Sequence, residues 1–103
     1  MELKEALGQT LRDLRERNKM AQDNLGPQAY ISRVESGTYD PTLKNIEKIA
    51  ANLGMQPLEL LARAISLQEG VSPVDLLRGL AREISKRKGE PPAPPKELIS
   101  PPL

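Results

Sequence analysis

Apolar residues recur along this chain at the three- and four-residue spacing of amphipathic α-helices. In the first such stretch they stand at Leu3, Leu7, Leu11 and Leu14. This spacing lines up apolar side chains along one side of a helix. It predicts a helix over residues 3–18.

Four further helices are indicated by their start and stop residues. Pro is favoured in the first turn of a helix, Ser and Thr at the N-cap, and Gly just after the last turn. On these signals we predict helices from Pro27 to Ser36, from Leu43 to Leu53 after the N-cap Thr42, from Pro57 toward Gly70, and from Pro73 to about Lys88 after the N-cap Ser72. Residues 90–103 hold six of the ten prolines, which predicts an extended, polyproline-like tail.

Composition supports an all-α fold and argues against most enzyme mechanisms. Phe, Trp, Cys and His are absent, and Tyr30 and Tyr39 are the two aromatic residues. Without Cys and His there is no disulfide, no thiolate or imidazole metal ligand, and no imidazole base. We therefore expect no enzymatic activity, no metal site and no cofactor. No stretch approaches the ~18 apolar residues of a membrane span, so we expect a cytoplasmic protein without a membrane partner.

Charge gives little indication of a partner. The net charge is +1; residues 1–19 sum to +1, and residues 20–40 carry Arg33 against Asp23, Glu35 and Asp40. A nucleic-acid-binding domain usually shows a clear basic patch. Counting charges does not reveal one here.

Ordered motifs in the first two-thirds of the chain resemble a known family. They read LRDLR at 11–15, MAQDNL at 20–25, YISRVESG at 30–37, PTL at 41–43, IEKIA at 46–50, LG at 53–54 and LELL at 58–61. This pattern resembles the lambda-repressor-like, Cro-type family of helix-turn-helix transcriptional regulators, also called the XRE family. The resemblance implies a five-helix DNA-binding domain, over residues 1–66, whose third helix enters the major groove of double-stranded DNA.

The resemblance also implies roles for individual residues. The side chains that would face DNA bases are Gln28, Ala29, Ser32 and Arg33. Those that would hold phosphates are Gln22, Thr38, Tyr39 and Lys44. A structural ion pair between Arg15 and Glu35 would connect the first helix to the third.

The sequence departs from the family pattern between Gln22 and Glu35, where it is about five residues shorter. The missing part corresponds to the end of the second helix and the turn after it. Either the domain has a stub in place of this helix, or residues of the natural chain are absent from this sequence. Because the flanking motifs match so well, we favour the second explanation.

The helix beginning at Pro73 is expected to mediate dimerisation. With its flanks it forms a separate region, residues 67–89, and its apolar stripe consists of Val74, Leu77, Leu80, Ala81 and Ile84. We expect this stripe to pack against a second copy, with Leu98, Ile99 and Leu103 of the tail held against the other subunit.

Two functions remain open. The first is a sequence-specific transcriptional regulator that binds a palindromic operator as a homodimer. The alternative is a protein-interaction module of the antitoxin or anti-repressor type with a vestigial helix-turn-helix, favoured by the shortened second helix and the net charge of residues 20–40. The sequence does not indicate a small-molecule or protein effector.

Overall fold

The computed structural model describes residues 1–87, and these fold into helices joined by short loops without a β-strand. The elements are α1 (Leu3–Arg17), a 3-10 helix (Gln22–Asn24), α2 (Gln28–Glu35), α3 (Leu43–Leu53), α4 (Pro57–Glu69) and α5 (Pro73–Lys86). The predicted all-α fold is confirmed. The proline-rich tail over 90–103 lies outside the described residues, as does Lys88, the expected end of the last helix.

The helix ends follow the local signals in the sequence. Thr42 Oγ1 accepts a hydrogen bond from the Asn45 backbone N–H at 3.2 Å, and Ser72 Oγ accepts one from Asp75 at 3.1 Å. Gly54 ends α3 with a φ of 74°, a left-handed conformation that glycine adopts without steric cost. The predicted caps of α3 and α5 are therefore confirmed.

The core is aliphatic and lies between α1, α2, α3 and α4. Its largest fully buried side chains are Leu11, Leu25, Ile31, Val34 and Leu60. Three leucines at the starts of helices are exposed instead: Leu3 of the first predicted stripe at 41%, Leu43 at 73% and Leu58 at 62%. Leu3 and Leu43 are the first residues of their helices and Leu58 is the second, whereas the fourth residue of each helix is buried.

The segment corresponding to the second helix of the family is a single 3-10 turn. Leu25 N–H donates to the Gln22 carbonyl at 3.0 Å, and the backbone continues through Gly26 into α2. Leu25 is 1% exposed and so remains a core residue, and its carbonyl accepts a hydrogen bond from Asn52 Nδ2 of α3 at 3.0 Å. For the given sequence this segment thus has the stub form, and the explanation by absent residues stays a prediction.

Gly8 brings α1 into backbone contact with the end of α2. A Cβ at this position would lie 2.7 Å from the Glu35 carbonyl oxygen and closer still to that of Val34. Any larger residue would push the two helices apart. Glycine in the interior of a helix costs stability, and here the cost is offset by close packing.

α5 lies at the edge of the fold. None of its residues is buried, and Val74, Leu77, Leu80 and Ile84 are 56%, 40%, 44% and 42% exposed. The expected boundary between residues 66 and 67 falls inside α4, which runs to Glu69. Within the described part of the chain, the helices are too short or too polar to cross a bilayer.

Candidate nucleic-acid interface

α2 has one side in the core and the opposite side exposed. Ile31 and Val34 are both 0% exposed and fix the inner side. The four residues expected to face DNA bases are all exposed: Gln28, Ala29, Ser32 and Arg33. Gln28 and Ser32 are four residues apart, as are Ala29 and Arg33, so each pair lies along one row of the helix surface. The two rows are adjacent. We call this surface the α2 face.

The N-terminal turn of α2 is part of the α2 face. Pro27 is the N-cap residue, and no side chain caps the first turn. The N–H groups of a first helical turn have no partner within the helix and carry partial positive charge. Gln28 and Ala29 lie in this turn, so the end of the helix favours electronegative groups.

An ion pair connects α1 to the C-terminal end of α2. Arg15 Nε donates to Glu35 Oε2 at 2.6 Å and Arg15 Nη2 donates to Glu35 Oε1 at 3.0 Å. The two side chains are 14% and 5% exposed. The hydrogen bond to Glu35 raises the pKa of Arg15 above its ordinary value, against the opposing effect of burial. The expected pair is thus present as a fork of two charge-assisted bonds.

Two further contacts extend this pair into a network. Gln22 Nε2 donates to Glu35 Oε1 at 3.1 Å, and Arg15 Nη1 donates to the Met20 carbonyl at 2.9 Å. Gln22 was expected at a phosphate. In the structure its amide connects the 3-10 turn to the end of α2, and the phosphate contact stays a prediction. The network therefore joins three successive elements of the domain at Glu35.

The loop after α2 folds back onto Arg33. The Arg33 carbonyl accepts hydrogen bonds from the backbone N–H groups of Thr38 at 3.0 Å and Tyr39 at 3.2 Å. Arg33 Nη1 donates to the Tyr39 hydroxyl at 2.6 Å, and its guanidinium carbon lies 5.2 Å from the centre of the Tyr39 ring. Thr38 and Tyr39, two of the expected phosphate contacts, are thus exposed beside the α2 face.

Lys44, the remaining expected phosphate contact, lies exposed in the first turn of α3. The next residue, Asn45, donates from Nδ2 to the Tyr30 hydroxyl at 3.0 Å. Neither Lys44 nor Arg33 takes part in an ion pair within residues 1–87. Both cations therefore keep their charge available to an external anion.

Sequence reasoning did not identify three residues that position this surface. Gly8 sets the distance between α1 and α2, Asn45 fixes Tyr30, and Asn52 holds the 3-10 turn through Leu25. Gly8 carried a usable signal, because a glycine inside a helical stripe often marks a close approach of another backbone. The two asparagines carried none, since polar residues on a helix are ordinarily solvent-exposed.

Comparison with known proteins also indicates a helix-turn-helix protein. A helix-turn-helix family model matches residues 11–60. Control protein C.BamHI of Bacillus amyloliquefaciens is 42% identical over 60 residues, which cover 52% of this chain and 74% of that protein. Since 52% of 103 residues is fewer than 60, the relative has residues within the aligned region that this chain lacks. No solved structure matches the chain. The protein belongs to the XRE-type helix-turn-helix family and is a DNA-binding transcription regulator.

Proposed function

We propose that the protein binds a palindromic operator as a homodimer and reads its sequence with the α2 face. The observation that carries this proposal is the composition of that face. Gln28, Ala29, Ser32 and Arg33 are exposed together on a helix whose other side is fully buried. A helix presented in this way fits the major groove, where its N-terminal residues meet the base edges.

Each residue type of the α2 face suits a contact in that groove. Gln28 can pair with adenine through N6 and N7, and Arg33 can pair with guanine through O6 and N7. Ala29 fits against a thymine methyl group, whereas Ser32 can donate or accept without selecting a base. The face therefore has the chemistry to read several adjacent base pairs.

Phosphate contacts would hold the domain in register. Lys44 supplies a cation that has no ion-pair partner within residues 1–87, and Thr38 supplies an exposed hydroxyl next to Tyr39. Such contacts set position and orientation but carry no sequence information. Gln22 contributes indirectly in this proposal, through its hydrogen bond to Glu35. The Arg15–Glu35 pair holds the reading helix at a fixed angle to α1.

The second copy would pack on the exposed stripe of α5. Val74, Leu77, Ala81 and Ile84 follow one another at spacings of three, four and three residues, the pattern of a seam between two helices. A groove of about 340 Å³ beside Val74 and Leu77 extends this apolar surface to Leu58 of α4. A two-fold dimer uses the same patch on both copies, so the α5 stripe of one copy would pack against the α5 stripe of the other.

The dimer also fits the requirement of the DNA. Half-sites of a palindrome lie about one turn of DNA apart, ~34 Å, and need two reading helices at that spacing. Selection of the full-length protein on a library of random duplexes tests the proposal. We expect an inverted repeat with half-sites about one turn apart, bound in the presence of excess unrelated DNA and weakened by salt.

The alternative, a protein-interaction module, is favoured by one feature of the structure in addition to the charge of residues 20–40. The second helix of the domain is reduced to the turn Gln22–Asn24, which gives the reading helix less support on that side. If the selection yields no preferred sequence and binding disappears in excess unrelated DNA, the alternative replaces the proposal.

A further inference from the structure

Arg33 contacts one of the two aromatic rings of the chain, and the other ring packs against the first. The Arg33 guanidinium lies over the Tyr39 ring, with its Cζ atom 5.2 Å from the ring centre. Arg33 Nη1 also donates a hydrogen bond to the Tyr39 hydroxyl at 2.6 Å. The ring of Tyr30 lies behind it, with a centroid distance of 6.0 Å and an angle of 52° between the ring planes. Arg33 is thus the charged end of a small aromatic cluster.

The backbone of the loop fixes Tyr39 relative to Arg33. The Arg33 carbonyl accepts from Thr38 N–H, from Tyr39 N–H and from Ser36 Oγ. Gly37 makes the turn with a φ of 77°, and a Cβ there would lie 3.3 Å from the Glu5 Cα. The loop is therefore held both by α2 and by α1.

Tyr30 connects this cluster to the body of the domain. It packs against the hydrophobic core, and its hydroxyl accepts a hydrogen bond from Asn45 Nδ2 of α3 at 3.0 Å. The tilted arrangement of the two rings is a favourable one for an aromatic pair. The position of the Tyr39 ring is thus set by contacts that do not involve DNA.

We propose that Tyr39 is a positioning residue that orients the Arg33 guanidinium for guanine, and so determines specificity at one base pair. This inference rests on the proposed function of the α2 face. A free arginine side chain carries considerable rotamer entropy, which binding would have to offset. The hydrogen bond to Tyr39 uses one hydrogen on Nη1 and leaves the Nε and Nη2 edge, whose planar fork matches O6 and N7 of guanine.

A positioning role of Tyr39 and a phosphate contact by Tyr39 affect the affinity for DNA in different ways. A phosphate contact strengthens binding to every sequence and contributes to the salt dependence. A positioning residue strengthens binding only where its arginine meets the correct base. The two roles can therefore be separated by comparing DNA sequences.

The substitution Tyr39→Phe tests this directly, since it keeps the ring and removes the hydroxyl. Affinities are measured for the selected operator, for the operator with the guanine opposite Arg33 replaced, and for an unrelated duplex, each at several salt concentrations. We expect the operator affinity to fall by about threefold to tenfold, the magnitude of one hydrogen bond. Affinity for the other two duplexes and the salt slope should not change.

The same measurements in an Arg33→Ala background provide the control. There, Tyr39→Phe should have no further effect, because the residue through which Tyr39 acts is absent. A Tyr39→Phe protein that weakens binding to all three duplexes equally, or that retains its effect without Arg33, would overturn the inference.

The outcomes also distinguish this inference from the proposed function. If Arg33→Ala lowers guanine discrimination while Tyr39→Phe leaves it unchanged, the inference fails and the α2 face remains the reading surface. If Arg33→Ala itself leaves discrimination unchanged, Arg33 does not read a base and the proposed function is wrong at this residue.

Discussion

Arg15 and Glu35 are joined by two nearly parallel hydrogen bonds, Nε to Oε2 at 2.6 Å and Nη2 to Oε1 at 3.0 Å. Glu35 is the last residue of α2, so this pair fixes the end of α2 to α1. Gln22 donates to the same carboxylate. The orientation of α2 therefore depends on contacts made at its C-terminal end, by a residue outside the α2 face.

Replacing Arg15 by Ala should destabilise the domain strongly. Glu35 would keep a carboxylate that is 5% exposed and would lose its charged partner, at a cost of about 2–4 kcal/mol in the free energy of unfolding. Urea denaturation followed by circular dichroism measures this. Arg12→Ala is the matched control, because the Arg12–Glu16 pair on the same helix is more than half exposed on both sides and should contribute about 0.3–0.5 kcal/mol. Equal effects of the two substitutions would contradict this role.

Gly8→Ala should destabilise the protein although alanine is the better helix former. The added methyl would meet the backbone carbonyls of Val34 and Glu35, and overpacking of this kind costs about 1–3 kcal/mol. Gly79→Ala provides a control of opposite sign. At Gly79 nothing lies within 4 Å of the new Cβ, so thermal unfolding should show a gain of about 0.5–1 kcal/mol. If Gly8→Ala also stabilises, α1 and α2 do not approach as closely as described.

Replacing Leu77 by Glu should convert the proposed dimer into a monomer. The substitution puts a charge in the middle of the α5 stripe, where a symmetric pair would bring two such charges together. Sedimentation velocity of the full chain at micromolar concentration measures the change. Leu43→Glu is the control, since Leu43 is 73% exposed on α3 outside the stripe; it should sediment as the unsubstituted protein does. Dimers for both variants would place the interface elsewhere.

The sequence predicted features that depend on neighbouring residues. The caps at Thr42 and Ser72 and the stop at Gly54 are local, because each depends on the conformation of a few adjacent residues. These features are recoverable without knowledge of the tertiary fold.

Contacts between distant elements were less predictable. The Arg15–Glu35 pair was expected only through the family resemblance, and the bond from Asn45 to Tyr30 was not expected at all. Periodicity indicates which side of a helix is apolar but not how closely two backbones approach, which is why the role of Gly8 was missed. It also does not show which apolar residues of a helix stay exposed, as Leu43 does.

In the proposed function, the α2 face reads base sequence while Thr38 and Lys44 hold the DNA phosphates. Fluorescence anisotropy titrations of Gln28→Ala and Lys44→Ala, on the selected operator and on a scrambled duplex over a range of salt, test it most directly. Gln28→Ala should lose about 1–3 kcal/mol on the operator and almost nothing on the scrambled duplex. Lys44→Ala should weaken both and reduce the salt slope by about 1. The same loss on both duplexes for both variants would contradict the assignment of α2 as the reading helix.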